Sequence, residues 1–194
     1  MAAELVVLSH LRWTFVWQRP QQLISRLSRH FARTWFVEEA EPVAGLTTPL
    51  LAEDDQGTVT RLWLQLPATW SASGFDTTAS QWYTVLLAER LGGHADRTVW
   101  LYTPMALDVA RTLGPSIVVY DVMDDLAAFR FAPTGLALRQ RQALREADLV
   151  FTGGRSLHRS VQDVRPSGAH CFPSGVEPEH YETAIALRRR RSPG

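Results

Sequence analysis

Three carboxylates, Asp121, Asp124 and Asp125, fall within five residues directly after the run Ile117-Val118-Val119-Tyr120. β-Branched and aromatic residues suit a buried strand. A buried strand cannot hold unpaired charge in its middle. The strand is therefore predicted to end near Asp121, with the acids in the loop past its carboxyl end, where open α/β sheets bind ligands. A carboxylate there can take a proton from a substrate hydroxyl, and Asp121 and Asp124 are the candidate catalytic residues. Taken singly, Asp124 or Asp125 could instead cap the following helix. As a cluster the acids favour a site, with Asp125 as a binding residue.

A second group follows the first apolar segment. His10 and Arg12 sit just past its carboxyl end, within a stretch that also holds Trp13, Phe15, Trp17 and Arg19. Trp13 and Trp17 offer flat apolar walls for sugar rings, and Arg12 or Arg19 can meet a phosphate or carboxylate. The competing reading packs the aromatics against the next helix and gives Arg19 a surface salt bridge. A third group is Gly153-Gly154-Arg155-Ser156. Two glycines allow a tight turn, and the free N–H groups of a following helix favour an anion. A plain turn with Ser156 as the helix cap explains the same residues.

Several chemistries are excluded. The first turn carries no Gly-x-Gly-x-x-Gly for a dinucleotide, and the chain has no Walker A pattern and no Gly-x-Ser-x-Gly elbow. All 20 basic residues are arginine, so Schiff-base chemistry on a lysine is absent. The single cysteine, Cys171, leaves no internal disulfide and no multi-cysteine zinc site, and it reads as an inert buried thiol. No metal-ligand spacing appears. A formal net charge of zero argues against a nucleic-acid partner. Four arginines are the run Arg188 to Arg191, and without them the chain carries 16 basic against 20 acidic residues. No apolar run reaches the ~20 residues that span a bilayer, and the first residues do not form a signal peptide. A reducing cytoplasm is the expected location.

The elements that must position these groups follow from periodicity. Glu4 to Ser9 is predicted as a strand buried on both faces. Pro20 opens a helix with Leu23, Ile24, Leu27 and Phe31 inward. Thr34 to Glu38 is a second strand, Glu39 to Gly57 a loop, and Thr58 to Leu66 a half-buried or edge strand. A helix from Asp76 to Leu91 ends at Gly92-Gly93. Thr98 to Tyr102, the central strand, Asp148 to Thr152 and Ala169 to Phe172 alternate with helices at 104–113, 133–147 and 156–164. The alternation predicts an α/β fold with a doubly wound, mostly parallel sheet in one domain.

Four strings carry a resemblance: Ser9-His10-Leu11-Arg12-Trp13 with Gln18-Arg19-Pro20-Gln21-Gln22-Leu23; Tyr120 to Phe129; Ala147 to Leu157; and Phe172-Pro173-Ser174-Gly175-Val176-Glu177. In this order they resemble the N-terminal half of bacterial GT-B glycosyltransferases of the family 1/family 4-like group. Thr14, Gln22 and Asp125 depart from the aspartate, histidine and glutamate usual in that family, and Thr14 puts an acidic role for the first loop in doubt. The resemblance implies a Rossmann-like acceptor domain over residues 1–177. Residues 178–194 would be a linker remnant with a basic tail, and the donor-binding second domain would be missing from this chain. It further implies a sugar or glycolipid acceptor, a nucleotide-sugar co-substrate rather than a resident cofactor, no metal, and a possible separately encoded donor domain. A chain so shortened would be inactive alone, and residues near Val176 and Tyr181 would be exposed. The tail suggests weak contact with the inner membrane face. The alternative function is a non-catalytic α/β module that binds a carbohydrate or a protein.

Overall fold

The computed structural model describes residues 3–93, 96–130 and 132–175. In chain order its elements are β1 (Glu4–Leu8), α1 (Arg19–Leu27), β2 (Arg33–Val37), β3 (Glu41–Val43), β4 (Leu50–Asp55) and β5 (Thr60–Pro67). There follow α2 (Thr77–Leu91), β6 (Arg97–Leu101), α3 (Leu107–Thr112), β7 (Ile117–Val122), α4 (Leu136–Glu146), β8 (Leu149–Thr152), α5 (Arg155–Gln162) and β9 (Ala169–Cys171).

β1 is buried along its whole length, so it needs a neighbour at each edge and cover on each face. β2 pairs with it in parallel on one side and β6 on the other. The sheet runs β3-β5-β2-β1-β6-β7-β8-β9, with β4 pairing to β5. Every pair is parallel except β4–β5. The chain steps from β1 towards β2 in one direction and from β6 through β9 in the other. Right-handed crossovers then place the intervening helices on opposite faces. Ile24 of α1 accordingly packs with Leu5, Val7 and Phe36. Residues of α2, α3, α4 and α5 pack with Val6, Leu8, Trp35 and Val99 on the other face. The expected doubly wound α/β architecture is what the chain forms.

Local signals set most boundaries. The Asp76 side chain accepts from the Ala79 amide at 2.8 Å and starts α2, and Gly92, at φ 70°, stops it. Arg97 then donates to the exposed carbonyls of Leu91 and Gly92 while its Nε holds Glu4 at 3.1 Å.

Three expectations are corrected. The span 39–57 is not a loop, because it contains β3 and β4. The next strand, β5, is therefore not an edge: β2 and β3 pair with it in parallel and β4 antiparallel, though its alternating burial is as expected. Ser156 does not cap α5, since the cap position is Gly154 and no side chain bonds there. Residues 178–194, Val176 and Tyr181, and with them the proposed linker and basic tail, lie outside the described residues.

Candidate functional site

The direction of winding reverses at β1 and β6, which places a crevice beyond their carboxyl ends. His10 follows β1 there. It is half-buried, and its Nδ1 is enclosed without a hydrogen-bond partner among the described residues. Burial lowers its pKa below the ordinary histidine value, while the charge of Asp124 and the Tyr102 main chain pull it upward. The imidazole is therefore less basic than an ordinary histidine, and it lies near the acidic loop after β7. His10 and Asp124 thus lie on one rim of the sheet.

β7 does not end before Asp121. The residue is inside the strand, fully buried, and its charge is paired. Arg19 Nε donates to both carboxylate oxygens, at 2.9 and 3.1 Å, and Arg19 Nη1 donates to the Phe172 carbonyl at 2.7 Å. Arg19 is nearly enclosed, so this is a buried ion pair rather than a surface bridge. Burial raises the Asp121 pKa and Arg19 opposes the rise. The Tyr102 hydroxyl and Trp100 indole also act on Asp121, although neither reaches hydrogen-bond geometry with a partner among the described residues. Asp124 is partly exposed and Asp125 exposed in the loop beyond, and neither is in an ion pair among the described residues. Asp125 precedes a single 3-10 turn, Leu126–Ala128, and its side chain does not cap it.

Arg12 sits further towards β2. Its guanidinium donates to Glu38 at 3.2 Å and pairs with Glu41 at 3.1 Å, so its charge is already matched. Glu38, fully buried, also accepts from the Trp13 amide at 2.8 Å and from Arg61 Nε at 2.9 Å. Trp13 is enclosed, edge-on to Phe36 with ring centres 5.0 Å apart. The aromatic surface left to a ligand belongs to Phe15 and Trp17, both more than half exposed. Phe129 and Phe172, on the loops after β7 and β9, are exposed on the same rim.

Gly153 is a packing glycine. A Cβ there would come within 3.3 Å of the Met123 Cα and 3.4 Å of Ser174 Oγ, so the turn after β8 lies directly against the acidic loop. Gly154 has open space beside it. Arg155 and Ser156 are exposed at the start of α5, and Arg155 has no ion-pair partner among the described residues. The structure therefore gathers His10, Asp124, the Arg19–Asp121 pair and the Gly153 turn at one rim, and leaves Arg12 and Trp13 in a neighbouring charge-matched cluster. Two carboxylates that the sequence did not single out belong to this rim. One is Glu38, at the centre of that cluster. The other is Glu39, whose pKa burial raises against the pull of Arg12. Their position after a strand's carboxyl end was the available signal. Among the described residues no group of three or more His, Cys, Asp or Glu could hold a metal. No helix there is long and apolar enough to cross a membrane.

No protein-family model matches the chain, and no curated protein matches it in sequence. Solved structures do. One described as trehalose-6-phosphate from E. coli bound with UDP-2-fluoro glucose aligns at a TM-score of 0.59 and 13% identity, covering 97% of this chain and 54% of that one. An alpha,alpha-trehalose-phosphate synthase (UDP-forming) from Burkholderia vietnamiensis aligns at 0.59 and 16% identity, covering 100% and 52%. The Burkholderia xenovorans synthase, in complex with glucose-6-phosphate, aligns at 0.59 and 12%, covering 97% and 53%. The chain spans about half the length of each. In fold it is a Rossmann-like α/β domain, similar to about half of each of these proteins.

Proposed function

We propose that this chain is the acceptor-side domain of a glycosyltransferase that moves a sugar from a nucleotide-sugar donor to a sugar or glycolipid acceptor. The observation that carries the reading is the placement of His10 beside Asp124, which has no ion-pair partner among the described residues, at the switch point of the sheet. Sugar transfer needs a group that accepts the proton of the attacking hydroxyl as the anomeric carbon leaves its phosphate. Asp124 has the exposure for that task, and the half-buried His10 lies close enough to feel its charge. Asp121 lacks that exposure, since it is enclosed and held by Arg19. It positions Arg19, which in turn holds the chain at Phe172. Trp17 and Phe15 offer the sugar an apolar wall, and Arg155 with the α5 amides faces developing negative charge. Such a domain acts only with a donor-binding counterpart, covalently continuous or separate, and alone it is inactive.

Co-expression of the chain with a donor-binding half of the same fold tests this. The mixture should transfer sugar where neither part does, and Asp124→Asn should lower the rate about a hundredfold or more. Full transfer by Asp124→Asn and His10→Ala variants would overturn the assignment. Turnover by this chain alone would do the same.

A further inference from the structure

At the opposite rim, a cavity of about 660 Å³ opens where β2 and β5 begin. Its size is within the range of small-molecule sites. Pairing between the two strands starts only at Trp35 and Thr60, so the first residues of β2 have no neighbour on that side, and the cavity fills the gap. Arg29, Arg33 and Arg90 line it, and no acidic residue does.

Two of the three arginines are not spent elsewhere. Arg29 and Arg33 have no ion-pair partner among the described residues, and only Arg90 holds an acid, Glu53 at 2.6 Å. Arg90 and Arg33 both lie over the Trp35 ring, at 4.7 and 5.9 Å from its centre. Two cations drawn to one indole repel each other, and an anion between them relieves that repulsion.

Donors are present as well. The Thr34 hydroxyl and the Trp35 indole N–H both belong to lining residues that are only 3% exposed, and neither has a hydrogen-bond partner among the described residues. Buried polar groups are nearly always satisfied, so two orphaned ones beside a polar cavity point to an occupant. The Ser28 and Thr58 hydroxyls bond to each other at 2.8 Å on the cavity wall. Phe31 contributes an apolar wall.

We propose that this amino-rim cavity is a second binding site, for a small phosphorylated molecule. Arg29, Arg33 and Arg90 grip the phosphate oxygens, and the Thr34 hydroxyl and Trp35 indole supply buried donors. The site is independent of the acceptor site, being at the other end of the strands.

Inorganic pyrophosphate is the probe, followed by the indole N–H signals in proton–nitrogen NMR, with the Trp35 signal assigned from Trp35→Phe. Saturable movement of that signal is expected, with the His10 region unmoved. Arg29→Gln/Arg33→Gln should weaken binding about a hundredfold, at tenfold or more per charge-assisted contact. Trp35→Phe keeps the ring and should weaken it several-fold, with circular dichroism confirming that both variants fold. A Trp35 signal unmoved at 10 mM (about the weakest useful affinity), or equal affinity in the double variant, would overturn the proposal. Binding of a single-stranded oligonucleotide without binding of pyrophosphate would also overturn it, in favour of a nucleic-acid backbone.

Discussion

Replacing Arg19 by methionine keeps most of the side-chain volume but leaves Asp121 at zero exposure with no countercharge. Removing one partner of a buried pair costs about 3–5 kcal/mol. The cost has a ceiling, because Asp121 can protonate. From an unfolded pKa near 3.9, taking up that proton at pH 7.5 costs about 5 kcal/mol at 1.36 kcal/mol per pH unit. The sign follows from the direction of the shift. Burial raises the folded-state pKa of Asp121 even with Arg19 present, and without Arg19 it must rise further. A raised carboxyl pKa means that the folded state holds the proton more tightly. Its contribution is therefore complete below the unfolded value and falls as pH rises towards the folded one. Urea denaturation followed by tryptophan fluorescence should show Arg19→Met losing about 4–5 kcal/mol at pH 7.5 and only about 2 at pH 5.5. Adding Asp121→Asn removes the stranded charge and should restore stability to within about 1–2 kcal/mol, the remainder being the lost bond to the Phe172 carbonyl. A pH-independent loss, or one below about 1 kcal/mol, would refute the view of this pair as a buried, mutually dependent unit.

His10 should titrate below the ordinary histidine midpoint in NMR, and Asp124→Asn should lower the midpoint further, since the Asp124 charge now raises it. With its folded pKa depressed, His10 contributes stability above the unfolded value near 6.5 and loses it as pH falls through that point. Gly153→Ala should cost about 1–3 kcal/mol, because its Cβ meets main-chain atoms of Met123. Gly154→Ala, with open space beside it, should stay within about 0.5 kcal/mol by the same thermal or urea melt.

The parts of the fold that periodicity revealed are those whose cause is local. β1, β2, β6, β7 and β8 are short apolar runs, and α2 carries its own cap and stop at Asp76 and Gly92. β4 was hidden because Leu-Leu-Ala-Glu-Asp-Asp lies in a polar, proline-containing stretch that reads as a loop. Its acids become tolerable in a strand only when Arg61 of β5 reaches Asp54 at 3.0 Å and Arg90 of α2 reaches Glu53. β3 was hidden by its three-residue length and its proline. The misplaced end of β7 has the same origin. That a buried strand rejects unpaired charge is sound, but Asp121 is paired, by an arginine 102 positions earlier. No window of sequence contains that fact.

The same long-range pairing explains which rim residues are available for recognition. Asp121 and Glu38 are spoken for by Arg19 at the start of α1, Arg12 in the first loop and Arg61 in β5, elements that must be fixed for the crevice to exist. Their charges cancel locally, so they lend the rim rigidity and little net field. What remains chemically open among the described residues of this rim is a short set: the half-buried His10 ring, Asp124, Asp125 and the exposed Arg155. A sequence reading ranks all of these alike, as charged residues after strand ends. Burial divides them into those that build the rim and those that a ligand can address, and of the two candidate catalytic acids, Asp121 and Asp124, that division leaves the proposed role to Asp124.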